Sequence, residues 1–81
     1  MTQTDLQHLA CNMLDIDKLP CVFIHLKTGN TYLLTDVCLN CTNGQEIIVM
    51  AIYRNAHNMY FCRDITEFKH KFKKRAFYGH K

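Results

Sequence analysis

The spacing of turn-forming residues constrains this chain more than any other feature. Within residues 21–63, four strand-like segments are separated by connections of only four to six residues. A parallel crossover needs a dozen residues or more, so neighbouring strands must run antiparallel. Residues 21–26 are β-branched and aromatic, residues 31–39 alternate loosely, residues 46–54 form an apolar central strand, and residues 59–63 complete the set. Lys27-Thr-Gly-Asn30 offers Gly29 and Asn30 for positive φ. Asn43-Gly44 favours a tight turn in the second connection, and Asn55-Ala-His-Asn58 forms the third.

Helical patterns bracket the meander. Leu6, Leu9, Ala10, Met13 and Leu14 fall at i, i+3, i+4, i+7 and i+8, which predicts a short amphipathic helix over residues 4–14. Thr4 and Gln7 have the spacing of a capping box, and Asp5 suits the positive helix end. Pro20 excludes helix at Leu19 and introduces the first strand. A second helix is expected over residues 65–75, with Asp64 as cap, Glu67 three residues on, and Ile65, Phe68 and Phe72 as its apolar stripe. The order predicts one α+β domain over residues 1–81. Its small antiparallel sheet or SH3-like barrel of four to five strands is flanked by an N-terminal and a C-terminal helix.

Eighty-one residues, 48% of them hydrophobic, allow one core and exclude a disordered chain. The longest apolar run, residues 47–53, is seven residues, too short to span a membrane as a helix. The first five residues lack the cationic and apolar regions of a signal peptide, so a cytoplasmic location and five reduced cysteines are expected. Charge is polarised along the chain. Residues 1–20 carry three Asp against one Lys, residues 21–66 balance, and residues 67–81 carry six basic groups against Glu67.

Several of these residues together resemble a known family. His25-x-Lys27-x-Gly29-Asn30-x-Tyr32, then Glu46 and Val49 before Tyr53, then Arg63 with Phe68 and Phe72, is similar to domain-of-unknown-function family 1653, short proteins of bacteria and their phages. Its pattern runs His-x-Lys-Gly-x-x-Tyr, Val-x-Tyr, Arg-Pro-x-x-x-Phe. The resemblance covers residues 22–72; Thr28 is an insertion and Asp64 replaces the proline. It implies a compact β-rich fold, a phage-related setting and, if phage-encoded, the host cytoplasm. It implies no established activity.

Three constellations bear on chemistry. His25, Lys27, Tyr32, Tyr53 and Arg63 are the candidate ligand-binding residues. Strand alternation puts Cys21, Phe23 and His25 on one side of the first strand. Arg63 and Lys27 suit a phosphate or carboxylate, and tyrosines suit a base. The competing reading makes the tyrosines core-edge aromatics and gives His25 a hydrogen bond in its turn. Lys69, Lys71, Lys73, Lys74 and Arg75, interleaved with His70 and Phe72 and followed by Phe77 and Tyr78, are candidate nucleic-acid contacts on a basic helix. The same run fits an ordinary solvated helix face. Cys38-Leu-Asn-Cys41 has zinc-knuckle spacing but no second pair.

No Ser-His-Asp order, H-E-x-x-H or glycine-rich phosphate loop occurs, so an enzyme is not expected. No catalytic residue, metal or cofactor is assigned. The expected function is a small non-catalytic binding module acting by occupancy, as a counter-defence or host-takeover factor. It would sequester an anionic nucleotide-like ligand or block a host protein. The alternative is a nucleic-acid-binding protein. No membrane partner is expected, and a homo-oligomer is compatible with the sequence. Purified protein should carry less than one zinc per chain; elemental analysis finding one zinc per chain would contradict this reading.

Overall fold

Backbone pairing accounts for the architecture. The computed structural model describes residues 1–41 and 47–75. Helix α1 (Gln3–Leu14) is followed by strands β1 (Cys21–His25), β2 (Thr31–Asn40), β3 (Ile48–Arg54) and β4 (Tyr60–Asp64). Helix α2 (Ile65–Lys71) and a short strand β5 (Phe72–Lys74) complete the order. The strands form one antiparallel sheet in the order β4-β3-β2-β1-β5. Its two edge strands, β4 and β5, are not paired with each other, so the sheet is open and not a closed barrel.

Local chemistry positions each element. The N-terminal cap differs from the expected Thr4–Gln7 box. Thr2 is the cap: its hydroxyl accepts from the Asp5 N–H at 3.1 Å, and the Asp5 carboxylate accepts from the Thr2 N–H at 3.1 Å. Thr2 and Thr4 both offer a hydroxyl, but the carboxylate three residues after Thr2 makes the reciprocal bond charge-assisted. The helix buries Leu6, Ala10, Cys11 and Leu14, while Leu9 is 39% exposed, so Cys11 takes the place expected for Leu9. In the first hairpin Gly29 adopts φ 77°, as the turn demands, and the His25 N–H donates to the Asn30 carbonyl at 2.9 Å. A register shift between Leu34 and Asp36 explains the loose alternation of β2. The expected Asn43-Gly44 turn, and Glu46 at the start of the third strand, lie outside the described residues.

The C-terminal helix is shorter than the expected 65–75. It stops at Lys71, and Phe72 is extended (φ −131°, ψ 155°). Phe72, Lys73 and Lys74 pair with His25, Ile24 and Phe23. This strand satisfies the outer edge of β1 and sends Phe72 into the core, whereas another helical turn would leave β1 unpaired there. Phe68 and Phe72 still stack, with ring centroids 4.3 Å apart.

Both helices pack on the same face of the sheet. Leu6, Ala10 and Leu14 of α1 join Phe23, Leu34, Val37, Ala51 and Tyr53 of the sheet and Ile65 and Phe68 of α2 in one core. At the bulge, Gln3 and Gln7 each donate to the same Asp36 carboxylate oxygen at 3.1 Å, and Gln3 also reaches the Val37 carbonyl at 2.8 Å. These bonds fasten α1 to β2. Hydrogen bonding, led by Gln7, holds the Asp36 carboxyl below its usual value against the opposing effect of burial.

A carboxylate lowered by folding stabilises the fold above its unfolded pKa, and that contribution disappears as pH falls through the folded value. Asp36→Asn should therefore lower stability at pH 7 and flatten the loss of stability below about pH 4. Urea melts across that range check this. A deficit as large at acid pH as at neutral pH would contradict it.

Candidate functional site

Four of the expected ligand residues do meet, around the core aromatic Tyr53, with His25, Tyr32 and Arg63 half-buried at its edge. Tyr53, on β3, is 3% exposed and touches four rings: Tyr32, Phe61, Phe68 and Phe72, with centroids 5.1–5.6 Å away. Tyr32 also packs edge-on to Phe72 at 5.5 Å. His25 lies edge-on to Phe72 at 4.9 Å, and its Nδ1 accepts from the Thr28 N–H at 3.3 Å. Arg63 Nε donates to the Tyr53 hydroxyl at 3.1 Å, and its Nη1 pairs with Glu67 at 2.5 Å. These bonds, that to Tyr53 foremost, raise the Arg63 pKa further. His25, Tyr32, Tyr53 and Arg63 thus form one network, with Tyr53 closed to a stacking ligand. Lys27 stands apart in the exposed turn, where it and His25 line a small cleft of about 200 Å³ with His70 and Lys71.

The basic run does not form one stripe. Lys69 and Lys71 are exposed on α2, whereas Lys73, Lys74 and Arg75 lie beyond the helix. Strand alternation sends Lys73 to the side away from the core and Lys74 to the helix side. There the Lys74 ammonium donates to the Asp15 carbonyl at 2.8 Å, against the negative end of α1. The Arg75 N–H donates to the Val22 carbonyl at 3.0 Å. Phe77 and Tyr78 lie outside the described residues.

This rearrangement creates a cleft of about 580 Å³ between the α1–β1 connection and β5. Lys18, Lys74 and Arg75 bring three cations to it, and Asp17 one carboxylate. Ile16, Pro20 and Val22 supply apolar wall. Asp15 ends α1 in the left-handed region (φ 56°), turning the chain so that residues 16–20 form one side. Its volume lies within the roughly 300–1,000 Å³ of small-molecule sites. Cys21 also lines it. Burial pushes that thiol up and Lys74 opposes the shift, so the thiol form is retained at neutral pH.

Sequence reasoning missed Lys18 and Asp17. Their only signal was the polar Asp15–Lys18 stretch before Pro20, which gains meaning once β5 is known to lie beside β1. Among the described residues, no group of three His, Cys, Asp or Glu side chains converges as metal ligands, and no helix is long and apolar enough to cross a membrane. Comparison with protein-family models, curated proteins and solved structures finds no match.

The contact between Arg63 and the buried Tyr53 hydroxyl makes Arg63 part of the scaffold. Arg63→Ala should cost about 1–3 kcal/mol and lower the melting temperature by about 4–24 °C. Glu67→Gln, which removes only the exposed ion pair, should cost less than about 1 kcal/mol. Thermal melts of the two variants check this; an unshifted melt for Arg63→Ala would contradict it.

Proposed function

We propose that this chain is a small non-catalytic binding module that works by occupancy and holds an anionic ligand in the Lys18–Lys74–Arg75 cleft. One observation carries the reading: three cations and one carboxylate surround a cleft of about 580 Å³ that also has apolar wall. Cations supply charge-assisted bonds to phosphate or carboxylate, while Ile16, Pro20 and Val22 suit the planar or aliphatic remainder of a nucleotide-like molecule. The raised thiols of Cys11, Cys21 and Cys38, each due first to burial, favour holding over covalent chemistry. The resemblance carried by His25, Lys27, Gly29, Tyr32 and Arg63 supports a bacterial or phage setting. There the module would sequester its ligand or, by the same occupancy, block a host protein.

Nucleic-acid binding is the competing reading, and the division of the basic run between α2 and β5 weakens it. Calorimetric titration with a nucleoside triphosphate and with a single-stranded oligonucleotide separates the two. The triphosphate should bind, and Lys18→Ala with Arg75→Ala should weaken it roughly ten- to a hundredfold per lost contact, with little change in the melt. Unaltered triphosphate affinity in that double variant would overturn the cleft. Tight oligonucleotide binding that falls steeply with salt and is lost on changing Lys69, Lys71 and Lys73 to Ala would favour the competitor.

A further inference from the structure

The sheet has a second face, and its residues are of the wrong kind for water. Val22 and Ile24 of β1, Leu33 of β2, and Ile48, Met50 and Ile52 of β3 alternate with the core residues Phe23, Leu34, Ala51 and Tyr53. They therefore point away from both helices. All six are half-buried, and none belongs to the core or to the partly buried hydrophobics packed against it. Pairing sets Val22 beside Leu33 and Leu33 beside Arg54, and places Ile52 next to the exposed Cys62. Among the described residues no element covers this face. An antiparallel sheet with one solvated face normally carries polar residues there. Here the six aliphatic residues are interspersed only with the uncharged Thr31, Cys38 and Asn40 of β2, while Arg54, Asp64 and Lys73 stand toward the margins.

We infer that this face is a self-association surface, on which a second copy of the chain packs sheet against sheet. Area supports that occupant. Five strands about 4.8 Å apart, of three to ten residues and about six on average, each residue rising about 3.3 Å, present a face of roughly 24 by 20 Å. Two such faces bury about 1,000 Å² even as flat projections, the lower bound for a biological interface and the range of a weak, concentration-dependent dimer. The chemistry agrees. The rings of Phe23, Tyr32, Tyr53, Phe61, Phe68 and Phe72 are committed to the helix side, and the exposed Tyr60 stands only at the margin beside Arg54, so the central aliphatic residues offer bases no stacking platform. An aliphatic surface instead matches itself under two-fold symmetry.

Charge gives the orientation. Arg54, which also donates to Asn58 Oδ1 at 2.7 Å, lies at one end of β3, and Asp64, whose carboxylate caps α2, pairs beside Met50 toward the other. A two-fold axis across the strands exchanges these ends, bringing Arg54 of one copy over the Asp64 end of the other. Stacked sheets lie about 10 Å apart, a gap that an arginine side chain bridges.

Sedimentation velocity on the full chain tests this, in reductant so that no disulfide through Cys41 or Cys62 can join two chains. Raising the concentration from about 1 to 200 µM should double the 9.5 kDa mass. Ile52→Lys should remain at the monomer mass with an unchanged far-ultraviolet circular dichroism spectrum. A wild-type chain that stays monomeric throughout overturns the inference. So does a folded Ile52→Lys chain that still doubles its mass. Thiol labelling of the wild type gives a check independent of any variant. Cys62 labelling should slow with rising concentration relative to Cys41, and an unchanged ratio would contradict the inference.

Discussion

The packing of aromatic rings around Tyr53 is the interaction on which the rest of the molecule depends. Tyr53 sits on β3, an interior strand of the sheet, and touches rings from β2, β4, α2 and β5. Without that cluster neither C-terminal element would persist. Helix α2 has seven residues, too few for a helix to be stable by propensity alone, and β5 has three. Both are held by side chains: Phe68 lies against Phe23 at 5.0 Å and stacks on Phe72 at 4.3 Å. Arg63 extends the cluster outward by meeting the Tyr53 hydroxyl, which would otherwise be a buried polar group without that donor.

That packing distributes the charged residues. Because Phe72 enters the core from a strand, the next residues alternate across the sheet instead of circling a helix. Lys74 is delivered under the end of α1, and Arg75 follows the edge of β1. The positive charge that the sequence concentrates at one end is thus divided among the exposed side of α2, the cleft beside residues 16–20, and the margin of the uncovered sheet face. The proposed ligand site and the proposed self-association surface share a border at Val22 and Arg75, and each rests on the placement of β5.

The meander was legible because it rests on local signals: short connections, a Gly at φ 77°, and β-branched runs. The two helices were legible from spacing, with errors that have physical causes. Thr2 and Thr4 both precede an acceptor by three residues, and only bond geometry separates the two capping frames. Leu9 and Cys11 lie on opposite flanks of the apolar stripe of α1, and the position of β2 decides which flank is covered. Phe68 and Phe72 are four apart, a spacing that fits helix, yet Phe72 begins a strand because β1 has an unpaired edge. That edge lies nearly fifty residues upstream, beyond the reach of any local pattern. The candidate site depends most on this: His25, Tyr32, Tyr53 and Arg63 share the helix side of the sheet, where Tyr53 is buried among rings and Arg63 is bonded to its hydroxyl. Lys18 and Asp17 were passed over because their cleft exists only once β5 is in place.

Nuclear magnetic resonance of residues 72–74 tests the account most directly. Extended-type carbon shifts for Phe72, Lys73 and Lys74, with cross-strand proton contacts from Phe72 to His25 and from Lys74 to Phe23, are the result expected from the pairing. Helical shifts running on from Lys71 to Arg75, without those contacts, would contradict the placement of β5.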